Sequence, residues 1–235
     1  DKQPSAWENL EMRIDERSHS LRDLLRLGVH VGDFIAVDPQ PDIMENGFIV
    51  SRHLDDKAGV AVLLGAMKAV IDSGAELPVD CHPLFTISEE VGSGASAVLH
   101  GDVSEMLTLD NGTTAPGQNS SEYGVTICMA DMSGPFDYHL THRMLYICQE
   151  FEIPHQRDIF RYYRSDSAAA VEAGNDLRTA LATFGVDASH GWERIHWNAL
   201  ESLTKLVTVY MQSPPLFLRD QDDIGPRFGF PMQPA

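Results

Sequence analysis

Four carboxylates stand beside two apolar segments of the sequence, where they could bind cations and carry protons. Asp55 and Asp56 precede one apolar run, and Glu89 and Glu90 follow another about thirty positions later. Two adjacent acids buried together would repel each other, and the arrangement holds if one binds a cation while the other carries a catalytic proton. Either pair alone is more often a solvated turn or a helix N-cap. Together, and in this order, the two pairs predict a metal site.

The apolar segments themselves predict a helix and a strand. Val60–Val70 is apolar nearly all round and rich in helix formers, which favours a largely buried helix opened by the Asp55-Asp56 pair. Leu84–Ile87 is a short apolar run of the kind found in buried strands. Strands that feed helices form a mostly parallel sheet, and such folds keep their sites at its carboxyl edge. The four carboxylates are therefore expected at that edge.

Two further residues extend the candidate ligand set. Asp110 follows the apolar run Met106–Leu109 and precedes Asn-Gly, which indicates a strand leaving the sheet at the same edge. His190 follows a strand candidate within residues 180–186, just before a helix at Asn198–Met211. A lone histidine is more often a surface or capping residue. Among carboxylates, however, it favours zinc, cobalt or manganese over calcium or magnesium.

Strands and helices alternate between residues 49 and 213, which predicts one α/β domain. The remaining strands are expected at Val125–Met129, Asp158–Tyr162 and Leu181–Phe184, and the remaining helices at Ala95–Leu99, Phe136–Phe151 and Ser167–Ala173. Residues 1–48 end in a hairpin-like alternation around Asn46-Gly47, typical of a small β domain, after a short amphipathic helix near residue 26. Pro214-Pro215 ends the last helix, so residues 214–235 are expected to be an extended tail.

An ordered series of motifs resembles the glutamyl aminopeptidase family of co-catalytic metallopeptidases, which includes the tetrahedral aminopeptidases. The matching segments, within about Leu27–Met211, are a strand at Gly28–Asp33, Ser51–Gly59, Ser88–Gly92, Leu109-Asp110, Ser165-Asp166 and Ser189-His190. Lys57 and Arg164 depart mildly from the family pattern. The resemblance implies a mostly parallel-sheet sandwich of the zinc-exopeptidase type, with residues 1–48 as the remnant of an inserted, β-barrel-like dimerisation domain. It also implies a homo-oligomer.

The resemblance further implies a role for each candidate residue. Asp55 would bridge two divalent metal ions, most simply zinc, and the choice of Asp55 over its neighbour rests on the resemblance alone. Glu90 and His190 would complete one ion's shell, Asp110 would hold the other, and Glu89 would be the general base. The expected activity is removal of the N-terminal residue from short peptides or cleavage of a small dipeptide-like amide. A related zinc deacylase or carboxypeptidase, and a non-catalytic module that keeps the fold, are the alternatives.

One family ligand has no counterpart in the sequence. The family's first ligand is a histidine in a His-x-Asp pair upstream of the inserted domain, whereas His53 belongs to the second motif and His30 falls in the expected insertion. The chain is therefore expected to be the C-terminal portion of a longer protein. It should bind at most one ion tightly, on the His190 side, and show little peptidase activity alone.

Composition limits the class of protein and its partners. The 235 residues are 43% hydrophobic without an apolar run near 18 residues, which predicts a globular chain without a membrane span. A formal net charge of −18 argues against nucleic acids and anionic membranes as partners. The three scattered cysteines, Cys81, Cys128 and Cys148, do not form a disulfide framework, and a reducing cytoplasm is the expected location.

Overall fold

The computed structural model describes residues 3–99 and 101–217 and divides the chain into two compact units, Asp1–Asp38 and Pro39–Ala235. The first unit contains a 3-10 turn, Trp7–Asn9, and helix α1, Leu21–Arg26. Ser20 caps this helix by accepting the N–H of Asp23, so the short helix expected near residue 26 is present. The strand expected at Gly28–Asp33 is absent, because the described part of this unit offers it no partner strand.

A small antiparallel sheet opens the second unit. Strands β1, Asp42–Ile43, and β2, Phe48–Ser51, form the hairpin expected around Asn46-Gly47. Strand β8, Glu193–His196, pairs with the other edge of β2, although the sequence had indicated no strand there. This pairing joins β2 to the C-terminal part of the chain, within the compact unit that begins at Pro39.

The main sheet is mixed. Its strands are ordered β3 (Glu105–Thr113), β7 (Arg178–Val186), β4 (Val125–Asp131) and β5 (Gly134–Pro135), and β6 (His155–Ile159) also pairs with β4. The pairs β3–β7 and β4–β6 are parallel, whereas β4–β7 and β4–β5 are antiparallel. The two longer ladders, β3–β7 and β4–β6, are the parallel ones, so parallel pairing predominates as expected, with shorter antiparallel pairs beside it. Alternating strands and helices dictate a parallel pair only where a crossover joins neighbouring strands, as between β4 and β6.

Three of the helices pack with this sheet in the main hydrophobic core. They are α2 (Leu54–Ser73), α3 (Tyr138–Glu150) and α5 (Trp197–Met211), which supply buried residues such as Val62, Met144 and Leu203. Residues of β4 alternate between this core, through Ile127, and a smaller cluster containing Cys128 and Phe160. The remaining helix, α4 (Asp166–Glu172), contacts β3 and β7. The helices expected over 60–70, 136–151, 167–173 and 198–211 are all confirmed.

Two other expectations about local structure are wrong, and one strand is displaced. Leu84–Ile87 forms no strand, because this segment pairs with none of the described strands, and its Ile87 side chain is 99% exposed. The helix expected at Ala95–Leu99 is a 3-10 turn over Gly94–Ser96. The strand expected at Asp158–Tyr162 begins three residues earlier, at His155.

The end of the chain is described only as far as residue 217, so most of the expected extended tail, 218–235, lies outside the described residues. Within the described part, no helix has the length and apolar character needed to cross a membrane.

Candidate metal centre

Asp55, Glu90 and His190 converge from three distant parts of the chain. Asp55 lies at the start of α2, Glu90 in the 3-10 turn Glu89–Val91, and His190 in the loop before β8. The imidazole Nε2 of His190 is 3.2 Å from Asp55 Oδ2 and 3.3 Å from Glu90 Oε2. The Asp55 side chain is 6% exposed, whereas that of His190 is 71% exposed. One buried and two accessible donor groups thus face one another at the surface.

A second group of carboxylates shares Asp55. One oxygen atom from each of Asp55, Asp56 and Asp110 can be chosen so that all three lie within 4.8 Å of one another. Asp110 lies inside β3 rather than at its end, and its Oδ1 accepts the backbone N–H of Asn111 at 2.6 Å. Asp56 Oδ1 accepts the N–H of Gly59 in the first turn of α2 at 3.3 Å. Asp55 is the member common to both groups.

This crowding of acids shows in their pKa values. Burial, followed by repulsion from Asp55, raises the pKa of Asp110 well above its usual range. Burial, followed by repulsion from Asp110 and Asp55, does the same for the pKa of Asp56. Burial and Asp55 also raise the pKa of Glu90, although His190 opposes the shift. The site therefore concentrates more carboxyl groups than its hydrogen-bond donors and His190 can compensate.

Glu89 lies beside the two groups without belonging to either. Burial raises the pKa of its carboxyl group to about 7, and repulsion from Asp166, Glu90 and Asp55 adds to the effect. Asp166, at the start of α4, is itself buried and accepts the N–H of Ala95 at 2.8 Å. A carboxyl group that titrates near neutral pH is suited to proton transfer.

The donor distances fit a divalent cation. A tetrahedral ion with bonds of 2.0–2.1 Å has neighbouring ligand atoms about 3.3 Å apart. The distances from His190 Nε2 to Asp55 Oδ2 and Glu90 Oε2, 3.2 and 3.3 Å, match this separation between ligand atoms. One imidazole and two carboxylates are also a donor set that zinc accepts, with a fourth position left for water or substrate. The second group, all carboxylate oxygens, suits a harder cation better.

A cavity of about 220 Å³ opens onto this cluster. Its walls include Asp55, Glu90 and His190, together with Arg52, His53, Gly191 and Glu193. A cavity of about 290 Å³ beside β6 is larger, but the carboxylate in its lining, Asp158, is already engaged by Gln118, Asn119 and Ser120. The smaller cavity therefore combines open space with the candidate ligand atoms of Asp55, Glu90 and His190.

The structure brings together all five residues selected from the sequence, namely Glu89, Asp55, Glu90, Asp110 and His190. Asp56, one of the four carboxylates that predict the site, also joins a group of ligand atoms. The sequence assigns no role to Glu193, whose carboxylate accepts backbone N–H groups of Leu54, Asp55 and His190. Residues 193–196 show no apolar alternation in the sequence, because the buried position that begins β8 is an acid, Glu193.

Fold and site together define a class: α/β proteins in which one helix-terminal aspartate is shared between two candidate cation-binding groups. The family can be stated as well. The model of the M42 glutamyl aminopeptidase family matches residues 1–206, and the chain belongs to that family.

Individual relatives are consistent with this family assignment. The chain is 41% identical over 207 residues to a Bacillus subtilis (strain 168) protein named "Putative aminopeptidase YhfE", a match that covers 88% of this chain and 60% of that protein. It is similar in fold to the TET1 peptidase of Pyrococcus horikoshii, with a TM-score of 0.72 and 24% identity over 81% of this chain and 57% of the other. The aminopeptidase APDkam598 of Desulfurococcus kamchatkensis gives a TM-score of 0.70 and 20% identity over 85% and 59%.

The two structural likenesses establish the fold, which is that of the zinc-exopeptidase type expected from the sequence. The chain spans about 60% of the length of the relatives it matches.

Proposed function

We propose that the protein is a metal-dependent aminopeptidase that removes N-terminal residues from short peptides. The observation that carries the proposal is the sharing of Asp55 between two groups of ligand atoms, with the proton-carrying candidate Glu89 beside them. Membership of a peptidase family and the aminopeptidase names of the relatives support it.

Asp55 would bridge two divalent ions, with zinc the first choice and cobalt or manganese as alternatives. Glu90 and His190 would hold one ion, and Asp110 the other, where Asp56 adds a further carboxylate. Cations held there would polarise the scissile carbonyl group and supply a water nucleophile at neutral pH. Asp55 is buried and accepts a hydrogen bond from Ser189, so its carboxylate is fixed before the substrate arrives.

Glu89 would take a proton from the attacking water and return it to the departing amine. Its raised pKa, about 7, reflects burial of the carboxyl group first and repulsion from neighbouring acids second. Cations beside Glu90 and Asp55 would offset the repulsion from those groups and so favour the ionised, proton-accepting form of Glu89. The division of labour between the two adjacent glutamates follows: one binds and the other transfers protons.

Two variants test this division in the protein expressed from its full coding sequence. Glu89→Gln should lower kcat on an aminoacyl anilide by several orders of magnitude and leave the zinc content nearly unchanged, since a base is lost but no ligand. Glu90→Gln should lose zinc. The N-acetylated anilide serves as the substrate control, because an aminopeptidase requires the free amine. Equal zinc loss in both variants would contradict this division of roles and favour another site. Cleavage of the blocked substrate alone would favour the related deacylase. Zinc binding without any cleavage would favour a non-catalytic module.

For the chain described here we propose one tight ion, on the His190 side. The second group offers only carboxylates among the described residues, and carboxylates without an imidazole hold zinc weakly. Calorimetric titration of the metal-free chain with zinc should give one tight site. The zinc-loaded chain should show little activity on an aminoacyl anilide. Two tight sites would mean that a further ligand, such as His53 on the cavity wall, completes the second shell.

We further propose a cytoplasmic homo-oligomer. Among the solved neighbours, PhTET1-12s is a dodecamer, and the TET1 peptidase of Pyrococcus horikoshii can assemble into a tetrahedron or a large octahedral shell. The three cysteines are free, which suits a reducing compartment. We retain residues 1–48 as part of an inserted dimerisation domain, so sedimentation of the full-length protein should give an assembly larger than a monomer.

A further inference from the structure

Glu193 is a buried carboxylate held between the two segments that carry Asp55 and His190. It is the first residue of β8 and is 1% exposed. Its Oε2 accepts the N–H of Leu54 at 2.6 Å and that of Asp55 at 3.1 Å. Its Oε1 accepts the N–H of His190 at 2.9 Å. One carboxylate thus joins segments more than 130 positions apart in sequence.

Each of these N–H groups lies where regular structure offers it no partner. Leu54 and Asp55 open α2, and the first N–H groups of a helix have no acceptor within the helix. An anion at this position is also favoured by the helix dipole. His190 has a left-handed backbone, with φ of 63°, in the loop between β7 and β8. Glu193 therefore fixes backbone that would otherwise be free to shift.

We propose that Glu193 is a positioning residue of the metal centre, which sets the separation of Asp55 and His190 before an ion binds. The inference rests on the proposed metal site but not on the peptidase reaction. The carboxylate reaches the main chain of both ligands and leaves their side chains free to face the ion. The 3.2 Å between His190 Nε2 and Asp55 Oδ2 is the distance that this tether maintains.

Substitution of Glu193 by glutamine keeps the size of the side chain but removes one acceptor oxygen. Whichever way the amide turns, its NH₂ group faces an N–H donor, so at least one of the hydrogen bonds to Leu54, Asp55 and His190 is lost. Glu193→Asp keeps the charge and both oxygens on a shorter side chain, and should restore much of the function.

Glu105 provides a matched control on β3, about 17 Å along the strand from the candidate ligand Asp110. It also opens a strand, β3, and its two oxygens also join distant segments, since Oε1 accepts the N–H of Leu216 at 2.6 Å and Oε2 the hydroxyl of Tyr210 at 2.9 Å. Glu105→Gln should therefore reproduce the general cost of breaking a half-buried carboxylate tether. It should not alter metal binding.

The experiment measures the zinc dissociation constant of the metal-free chain by competition with a chelator, and the visible spectrum of the cobalt-substituted chain. Thermal unfolding without metal checks that each variant is folded. We expect Glu193→Gln to weaken zinc binding about tenfold to a hundredfold, in line with other residues that orient metal ligands, and to change the cobalt spectrum. Glu193→Asp should lie within several-fold of the wild type, and Glu105→Gln should equal it.

Wild-type zinc affinity and an unchanged cobalt spectrum in Glu193→Gln would overturn the inference, as would equal weakening in Glu105→Gln. If the wild-type chain binds no zinc, the proposed metal site fails, and the role of Glu193 fails with it. If zinc binds as expected but the full-length protein cleaves no peptide, the proposed peptidase function fails and the role of Glu193 stands.

Discussion

The Asp55 carboxylate repels four neighbouring acids, so its replacement is expected to change the stability of the folded chain in opposite directions with and without metal. After burial, which is the largest cause in each case, the Asp55 carboxylate contributes to the raised pKa values of Asp56, Glu89, Glu90 and Asp110. Asp55→Asn keeps the size of the side chain and removes this charge. We expect the metal-free variant to be more stable than the wild type, whereas most substitutions of buried residues destabilise.

The magnitude follows from the spacing of the acids. At an effective dielectric constant of about 20, two unit charges separated by the 4.8 Å limit of the carboxylate group repel by about 3.5 kcal/mol. Proton uptake by Asp56 and Asp110 already relieves part of this repulsion. Loss of the contact between Asp55 and His190 removes up to about 1 kcal/mol. The expected net gain is about 1–2 kcal/mol, which corresponds to a rise in Tm of roughly 2–8 °C for a unit of this size.

Zinc should reverse the order of stability. A ligand at one hundred times its Kd stabilises the folded state by about 2.7 kcal/mol. The wild type should gain this amount, whereas Asp55→Asn lacks the shared ligand and should gain little. The assay is thermal unfolding at pH 8, where the carboxyl groups are most fully ionised, once in chelator and once in excess zinc.

Asp158→Asn is the matched control. Asp158 is also buried, but its Oδ2 accepts hydrogen bonds from Gln118, Asn119 and Ser120, so its charge is already compensated. This variant should be less stable than the wild type with and without zinc, by the same amount. The reasoning is refuted if metal-free Asp55→Asn is less stable than the wild type, or if zinc stabilises both proteins equally.

Two further predictions concern proton linkage and packing at the same site. Because the pKa of Glu89 is raised to about 7 from an ordinary value of about 4.3, the folded metal-free chain holds a proton that the unfolded chain releases, so Tm should fall as pH rises through this window. Glu89→Gln should flatten the decline measured by thermal unfolding between pH 4 and 8, and an unchanged slope would contradict the assignment. A Cβ on Gly59 would overlap the Asp56 carboxylate, lying 2.7 Å from its Cγ, so Gly59→Ala should cost about 1–3 kcal/mol and weaken manganese binding. In the same helix, Gly65→Ala meets only Thr204 at 3.4 Å and should leave manganese binding unchanged; equal effects in calorimetric titrations of the two variants would refute the explanation.

Much of the second unit could be predicted because its signals are local. The apolar run Val60–Val70 lies wholly within α2, and the short runs ending near Asp110 and Val186 became β3 and β7. Asn46-Gly47 marked the hairpin between β1 and β2. Each of these features depends on residues a few positions apart, and the chain order of the motifs then identified the candidate ligands.

The features that the sequence did not reveal depend on distant partners. An apolar run such as Leu84–Ile87 becomes a strand only beside another strand, and none of the described strands pairs with it. The antiparallel pairing of β4 with β7 joins Val125 to Phe184, and that of β2 with β8 joins Phe48 to His196. No local pattern encodes these registers.

The choice between Asp55 and Asp56 shows the same limit within the site. Adjacent acids give identical local signals, and only the convergence of His190, Glu90 and Asp110 distinguishes them. In the structure, Asp55 belongs to both groups of ligand atoms. Asp56 belongs only to the group that it forms with Asp55 and Asp110, and it accepts the N–H of Gly59.

The same geometry explains why so many acids can be buried in one place. Isolated buried carboxylates are costly, and burial, followed by repulsion from the neighbouring acids, raises the pKa values of Asp56 and Asp110. Glu193 contributes another buried acid, but three backbone N–H groups compensate it. The backbone N–H donors of the site thus bind Glu193, which holds the backbone in place, and leave the candidate ligand oxygens with fewer hydrogen bonds. The proposed divalent cation would compensate these oxygens, so metal binding is expected to raise folding stability as well as to support the proposed chemistry.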